Sequence, residues 1–277
     1  MKKHLILFIT SISILISCAK NPFTGKNTLN FVSNSELFPT SFQQYGTFLK
    51  DNKVVVGTTD AKRVEMVGMK IKMAAEKYLN ANGFKDYLKD YAWEYKLVES
   101  KEVNAWCLPG GKIVFYSAIL PICKDDAGMA TVMGHEVAHA LANHGAQRMS
   151  AGILQQAGAG VVGIATDSKS DQEKQVWMAA YGGVTQYGAM LPFSRSHESE
   201  GDKIGLILMA IAGYDPSTAV AFWERMSANS GGKSQPEFLS THPSDANRIA
   251  KLKSLIPEAK IEAAKFEATE KVLLGRN

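Results

Sequence analysis

The stretch "DDAGMATVMGHEVAHALANH", residues 125 to 144, places two histidines and a glutamate among regularly spaced apolar residues. This spacing predicts one helix over the stretch, ending at Gly145. Residues four apart share one face of a helix, so His135 and His139 can direct their imidazoles at one point. A tetrahedral zinc requires this arrangement of its first two ligands. Glu136 lies at the rim of that face, where it can take a proton from an attacking water.

Composition excludes several classes of protein. The 277 residues carry a formal net charge of +4, are 45% hydrophobic and 21% charged, and have a mean hydropathy of −0.11, values typical of a folded globular domain. Positive and negative side chains are interspersed, which argues against nucleic acid as the main partner. No run of eighteen apolar residues follows residue 20, which argues against a multispanning membrane protease.

The first eighteen residues, "MKKHLILFITSISILISC", begin with two lysines, continue with an apolar run and end in a cysteine. This pattern predicts a secretory signal peptide over residues 1–17. It also resembles the lipobox of bacterial lipoproteins, which implies lipidation of Cys18 and anchoring to a membrane. The alternative is a plain cleaved signal. We therefore expect a periplasmic lipoprotein of the bacterial cell envelope, anchored to the outer membrane.

The remaining chain predicts one domain of the α+β class, mainly α-helical, with a small β-sheet beside the histidine-bearing helix. Residues 18–34 are rich in Asn, Thr and Gly and predict an extended tether, and the domain covers 35–277. Residues 91–100 predict a strand, and residues 103–120 predict two strands around a Pro-Gly-Gly turn. The apolar, glycine-containing stretch 151–165 predicts a buried helix, with a mobile lid as the alternative.

A third ligand is expected from "SRSHESEGD", residues 194 to 202, at the start of a later helix. Glu198 and Asp202 are four residues apart, so one carboxylate can reach the metal while the other accepts the second N–H of a ligating histidine. Glu200 is rotated about 200° from Glu198, which predicts a solvent-facing residue or an ion-pair partner. His197 is the rival ligand.

Other histidines and cysteines have alternative interpretations. His144 is predicted to interact with the negative end of its helix. In the loop "STHPSDANR", residues 240 to 248, His242 either polarises the oxyanion of the transition state or occupies the open metal position as a reversible plug. Cys107 and Cys123 are predicted either to remain two buried thiols or to form a disulfide with each other.

Five segments together resemble the gluzincin metallopeptidase family that includes HtpX, BepA and the CAAX prenyl protease, in particular its single-domain bacterial lipoproteins. They are "NPFTGKNTLNFVS", "VNAWCLPGGKIVFYSAIL", "MGHEVAHALANHGAQRMS", "LPFSRSHESEGDKIG" and "STHPSDANRI". The resemblance implies a zincin-like domain with one Zn²⁺ per chain, bound by His135, His139 and Glu198. It also implies that Glu136 is the general base and that Asp202 supports a ligand histidine.

The resemblance further implies that His242 acts together with Arg248, and that Asn104, Ala105 and Trp106 form an edge strand that holds the substrate backbone. The function it implies is a zinc-dependent metalloendopeptidase acting on unfolded or misassembled cell-envelope proteins. The alternative is a periplasmic chaperone or assembly factor with a plugged zinc site.

Overall fold

The computed structural model describes residues 18–229, 237–242 and 247–273. The predicted signal peptide, residues 1–17, lies outside these ranges, as does the middle of the predicted late loop. The predicted lipidation of the Cys18 side chain also lies outside the described structure and stays a prediction. Within the described ranges, no helix combines the length and apolar character that crossing a bilayer requires.

Helices make up most of the described chain and a small sheet accompanies them, which confirms the predicted fold class. The helices are α1 Asn34–Asp51, α2 Thr59–Ala81, α3 Leu120–Cys123, α4 Asp126–Leu141, α5 His144–Ala165, α6 Asp171–Thr185, α7 Leu191–Ile211, α8 Thr218–Asn229, α9 Glu237–Thr241 and α10 Arg248–Leu273. A 3-10 turn, Ser117–Ile119, precedes α3, and a π-helical turn, Gln186–Met190, joins α6 to α7.

The described strands form a hairpin and a separate four-stranded sheet. They are β1 Cys18–Lys20, β2 Asn27–Leu29, β3 Val54–Val55, β4 Glu94–Val98, β5 Ala105–Leu108 and β6 Lys112–Tyr116. The hairpin pairs β1 with β2, and the sheet has the order β3-β4-β6-β5, with β4 and β6 parallel and the other pairs antiparallel. The predicted turn between β5 and β6 contains Gly110 and Gly111, both with φ near +86°, a conformation that favours glycine.

The core is organised around α4 and α7, which approach closely at two glycines. A Cβ on Gly134 would lie 2.8 Å from the carbonyl oxygen of Gly205. Without side chains at the crossing point, the two helix backbones come into direct contact. The largest fully buried side chains of the core include Trp223, Phe115, Phe222, Phe238, Ile71, Leu79, Met133, Leu141 and Ile204.

The helix that carries the two histidines ends earlier than predicted. It stops at Leu141, and α5 begins at His144 with Gly145 inside it. The break occurs at Asn143, whose backbone is left-handed with φ 55°. Asparagine tolerates this conformation better than most residues, so Asn143 ends the helix and Gly145 does not.

Residues 18–34 pack against the domain, although an extended tether was predicted. The side chains of Asn21 and Phe23 are buried, and Phe23 stacks on Tyr78 with ring centroids 4.6 Å apart. The Phe31 N–H donates to Ser150 Oγ over 2.8 Å. The polar composition correctly indicated turns, but one buried aromatic ring and a few long-range hydrogen bonds hold the segment in place.

The stretch 151–165 is helical as predicted, but the prediction that it is buried was wrong. It forms an exposed hairpin with α6, in which Tyr181 Oη donates to the Gln155 carbonyl oxygen over 2.9 Å. Because the two arms pack mainly on each other, their outer faces stay exposed. Exposed apolar side chains in this region are Met149, Ile153, Leu154, Val161, Ile164, Val176, Trp177, Met178, Val184, Tyr187 and Leu191.

Candidate metal centre

Helix α4 supplies two of the predicted ligands from a buried position. The Asp125 side chain caps the helix by accepting the Gly128 N–H over 2.9 Å, which satisfies one of the free N–H groups at its start. Almost the entire helix is buried, including His135, Glu136 and His139. The Nε2 atoms of the two histidines lie 3.1 Å apart, so the one-turn spacing does direct both imidazoles to one point.

Helix α7 brings the predicted third ligand to the same point. Glu198 Oε2 lies 3.2 Å from His135 Nε2, and Glu198 Oε1 lies 3.4 Å from His139 Nε2. The close crossing of α4 and α7 places this carboxylate within reach of both imidazoles.

His242 follows α9 and joins the cluster. Its Nδ1 lies 3.1 Å from His135 Nε2 and 3.0 Å from Glu198 Oε2. Ligand atoms of His135, His139, Glu198 and His242 all lie within 4.8 Å of one another, and all four residues are buried. This cluster is the candidate metal centre.

The donor set fits zinc in both chemistry and spacing. Zinc binds imidazole nitrogen and carboxylate oxygen at about 2.0–2.2 Å, in tetrahedral geometry. The edges of such a tetrahedron are about 3.3–3.6 Å long. The distances of 3.1, 3.2 and 3.4 Å among His135, His139 and Glu198 are close to these edges.

Glu136 lies beside the centre without belonging to the ligand cluster. Its Oε1 is 3.2 Å from His242 Nε2, at ion-pair distance. The contact lacks hydrogen-bond alignment, and among the described residues this buried oxygen has no aligned partner. A buried carboxylate oxygen beside a metal site, held by no aligned hydrogen bond, suits a group that exchanges protons with a substrate or water.

Asp202 and Arg248 form the far side of the site. Asp202 Oδ1 lies 3.1 Å from His135 Nδ1, although the ring N–H is not aligned for a hydrogen bond. Arg248 binds the same carboxylate through Nε at 3.0 Å and Nη2 at 2.7 Å. Its guanidinium carbon lies 3.5 Å from the ring centroid of Trp223, and its Nη1 donates to the His242 carbonyl oxygen over 3.3 Å.

The two predicted ligand histidines differ in their electrostatics. Burial lowers the pKa of His135, but the carboxylates of Asp202 and Glu198 outweigh burial and raise that pKa to about 9. Burial and the nearby His135 lower the pKa of His139 well below its usual range. Burial opposes ionisation of Glu198, yet its contacts with His135 and His242 lower its pKa. The centre therefore combines anionic carboxylates with imidazoles of unequal basicity.

Two residues at the centre have contacts that the sequence did not indicate. His144 is fully buried, with Nδ1 2.8 Å from His139 Nδ1 and Nε2 2.9 Å from Glu200 Oε2. The predicted interaction of His144 with a helix end was therefore wrong, because it begins a new helix after Asn143. Glu200 is buried and its Oε2 contacts His144 Nε2, so the solvent-facing alternative was wrong. Its other carboxylate oxygen lies 3.9 Å from Lys26 Nζ, which bears out the ion-pair alternative.

His197, the rival ligand, lies outside the cluster. Its ring stacks on His144 with centroids 4.0 Å apart, and its Nε2 lies 3.1 Å from Gln147 Oε1. Burial, together with the nearby His144 and Arg148, lowers the pKa of His197 to about 3. His197 thus serves as a buried neutral packing residue.

The predicted substrate strand lies at the edge of the sheet. β5 begins at Ala105 and pairs, among the described strands, only with β6. Asn104 precedes it, and its carbonyl oxygen accepts the Tyr116 N–H over 3.1 Å. Trp106 packs edge-on against Phe48. An edge strand is the element on which an extended peptide can add, and the role of these residues in substrate binding stays a prediction.

Both cysteines of the domain are free thiols. Cys123 is buried, and burial raises its pKa to about 12. Cys107 is partly exposed, and it also lies in surroundings that raise its pKa, because burial and the charge of Glu136 both oppose ionisation. The disulfide alternative does not apply.

The chain is similar to one known peptidase family and to several proteases. The model of "Peptidase family M48" matches residues 68–256. The mitochondrial metalloendopeptidase OMA1 of Schizosaccharomyces pombe is 39% identical over 63% of this chain and 50% of its own length. The Saccharomyces cerevisiae OMA1 is 36% identical over 71% of this chain and 56% of its own length. The β-barrel assembly-enhancing protease of Escherichia coli is 30% identical over 57% of this chain and 33% of its own length.

The chain spans about half the length of the yeast relatives it matches. Relatives from a plant, fish, cattle and human are also named as mitochondrial proteases. This finding contradicts the predicted location in a bacterial periplasm as an outer-membrane lipoprotein, and it gives the bacterial lipoprotein branch no support. The resemblance at the level of the family is confirmed: the chain belongs to peptidase family M48.

Proposed function

We propose that this protein is a zinc-dependent metalloendopeptidase that cleaves unfolded or misassembled proteins, with one zinc per chain bound by His135, His139 and Glu198. The observation that carries the proposal is the buried cluster of two imidazoles and a carboxylate with the spacing of a tetrahedral site. Membership of the M48 family supports the same activity.

Zinc bound at this centre would lower the pKa of a water molecule toward neutrality and polarise a peptide carbonyl. The residues of the chain supply the other requirements. Glu136 accepts a proton at its unaligned Oε1 from the attacking water and passes it to the nitrogen of the leaving amine. Asp202, paired with Arg248, holds the His135 ring in place from behind.

His242 regulates access in this proposal. Its Nδ1 lies among the ligand atoms and its Nε2 lies beside Glu136, where the water and the substrate carbonyl have to bind. A displaced His242 would open this position to the water and to the substrate carbonyl.

The substrate is an extended peptide in this proposal. The edge strand β5 offers backbone groups to a peptide segment without requiring particular side chains. Unfolded and misassembled proteins expose such segments, whereas folded proteins do not.

The first test is cleavage of casein, an unfolded protein, by the zinc-loaded chain and by its Glu136→Gln variant. We expect cleavage by the wild type, a loss of at least about 100-fold in the variant because the general base is removed, and inhibition by a chelator. Zinc content should be unchanged in Glu136→Gln and lost in His139→Ala. Full activity in Glu136→Gln would refute the assigned base.

A chaperone or assembly factor is the second candidate, favoured by the position of His242 among the ligand atoms. It predicts that the wild type and Glu136→Gln suppress aggregation of an unfolded client equally well, with no cleavage by either. Peptide bond cleavage that depends on Glu136 would reject a purely binding role.

A further inference from the structure

A chain of polar contacts runs from the metal ligand His139 to the N-terminal segment. His139 Nδ1 lies 2.8 Å from His144 Nδ1, and His144 Nε2 lies 2.9 Å from Glu200 Oε2. Thr24 Oγ1 lies 2.7 Å from Glu200 Oε1, the other oxygen of this carboxylate. Lys26 Nζ is 3.9 Å from the same oxygen.

The direction of every hydrogen bond in this chain follows from metal binding by His139. Its Nε2 faces the other ligands, so the ring proton must sit on Nδ1 and be donated to His144 Nδ1. His144 then carries its own proton on Nε2 and donates it to Glu200. The carboxylate only accepts, and Thr24 satisfies its second oxygen.

We propose that His144 and Glu200 are positioning residues that orient His139 and increase its basicity toward the metal. This inference rests on the proposed function, because it requires a metal at the centre. It places a carboxylate behind each of the two predicted ligand histidines. Asp202 Oδ1 lies 3.1 Å from His135 Nδ1 without an aligned hydrogen bond, and Glu200 reaches His139 through the intervening His144 imidazole. A carboxylate behind a metal-bound histidine typically changes metal affinity 10–100-fold.

The N-terminal segment completes this arrangement. Thr24 lies in a turn that Asn21 closes, because the Asn21 side chain accepts the Phe23 N–H over 2.9 Å. Phe23 anchors the turn by stacking on Tyr78. The segment predicted to be a tether therefore contributes a hydroxyl to the support of a metal ligand, and its packing is coupled to the metal centre.

The test compares zinc affinity in the wild type, Glu200→Gln and Thr24→Val, measured by chelator competition, and the absorption spectrum of the Co²⁺-substituted proteins. We expect about 10-fold or more weaker binding in Glu200→Gln, with altered cobalt bands, because the negative charge behind His139 is lost. Thr24→Val should weaken zinc binding less than Glu200→Gln does, and it replaces Glu200→Gln in the comparison if that variant does not fold. Glu99→Gln removes a carboxylate from a surface ion pair and is the matched control.

The outcomes separate this inference from the proposed function. No zinc binding by the wild type would refute the metallopeptidase itself. If the wild type binds zinc tightly and Glu200→Gln has the same affinity and cobalt spectrum, the positioning role alone is refuted. Thr24→Val is used for this comparison if Glu200→Gln does not fold. Weaker binding with unchanged cobalt bands and a lower unfolding temperature would assign these residues to packing and also overturn the inference.

Discussion

The two histidines of one pentapeptide have opposite pKa shifts because their neighbours differ. His135 faces two carboxylates, which raise its pKa to about 9 even though burial lowers it. Burial and the adjacent His135 lower the pKa of His139. The two predicted metal ligands therefore differ in basicity, although each must be unprotonated at the atom that binds a metal.

The His242→Ala variant tests the plug. We expect zinc content equal to that of the wild type, because three ligands remain, and casein cleavage raised several-fold, because the imidazole no longer occupies the position among the ligand atoms. Metal analysis and initial cleavage rates measure the two effects.

Three results would contradict the plug. Loss of zinc would make His242 an obligatory ligand. An unchanged rate of casein cleavage would show that His242 has no role in access. A cleavage rate lowered about 100-fold or more would assign His242 to stabilising the oxyanion. Asn52→Ala, at the exposed C-terminal end of α1, controls for nonspecific effects of substitution.

At the scale of elements, the crossing of α4 and α7 fixes the centre. A Cβ on Gly205 would lie 2.9 Å from the His135 backbone nitrogen and 3.0 Å from the Gly134 carbonyl carbon. Backbone atoms cannot move aside as the end of a flexible side chain can. The distance between His135 and Glu198 therefore depends on the absence of a side chain at this point.

We predict that Gly205→Ala lowers the free energy of unfolding by up to about 2 kcal/mol. Overpacking costs about 1–3 kcal/mol, and the higher helix propensity of alanine returns up to about 1 kcal/mol. Gly160→Ala is the matched control, because this exposed glycine of α5 has open space around its Cβ position, and it should raise stability by up to about 1 kcal/mol. Urea unfolding of both variants measures the difference, and equal stabilisation would contradict the close crossing.

The whole molecule combines a buried candidate metal centre with an exposed apolar hairpin. No Asp, Glu, Lys or Arg occurs in residues 149–166 or 175–194, which cover most of both arms. Such a composition normally indicates burial. In this structure the bases of the arms lie at the metal centre, where His144 begins α5 and Glu198 lies in α7, while the outer faces remain exposed.

Two tryptophans test this exposure. Trp177 on the hairpin is 55% exposed, and Trp223 in the core is 1% exposed. We predict that Trp177→Ala lowers the free energy of unfolding by less than about 1 kcal/mol, whereas Trp223→Ala lowers it by about 3–5 kcal/mol. Urea denaturation followed by circular dichroism measures both, and a large loss in Trp177→Ala would show that the hairpin is buried against another part of the protein in solution.

The sequence by itself determined the mainly helical fold with its small sheet, and the placement of His135, Glu136 and His139 on one helix. These features depend on local periodicity, since residues four apart in a helix always share a face. Glu198 and Asp202 were identified from the same spacing together with the family resemblance.

Only the tertiary structure decided which partners these residues have. Asn143 redirects the chain so that His144 supports His139, and the crossing of α4 and α7 buries Glu200 beside it. Residues 144 and 200 are far apart in sequence, and no local pattern encodes their contact. The N-terminal turn and the exposed hairpin were mispredicted for the same reason: composition describes a segment, whereas burial depends on what the rest of the chain places against it.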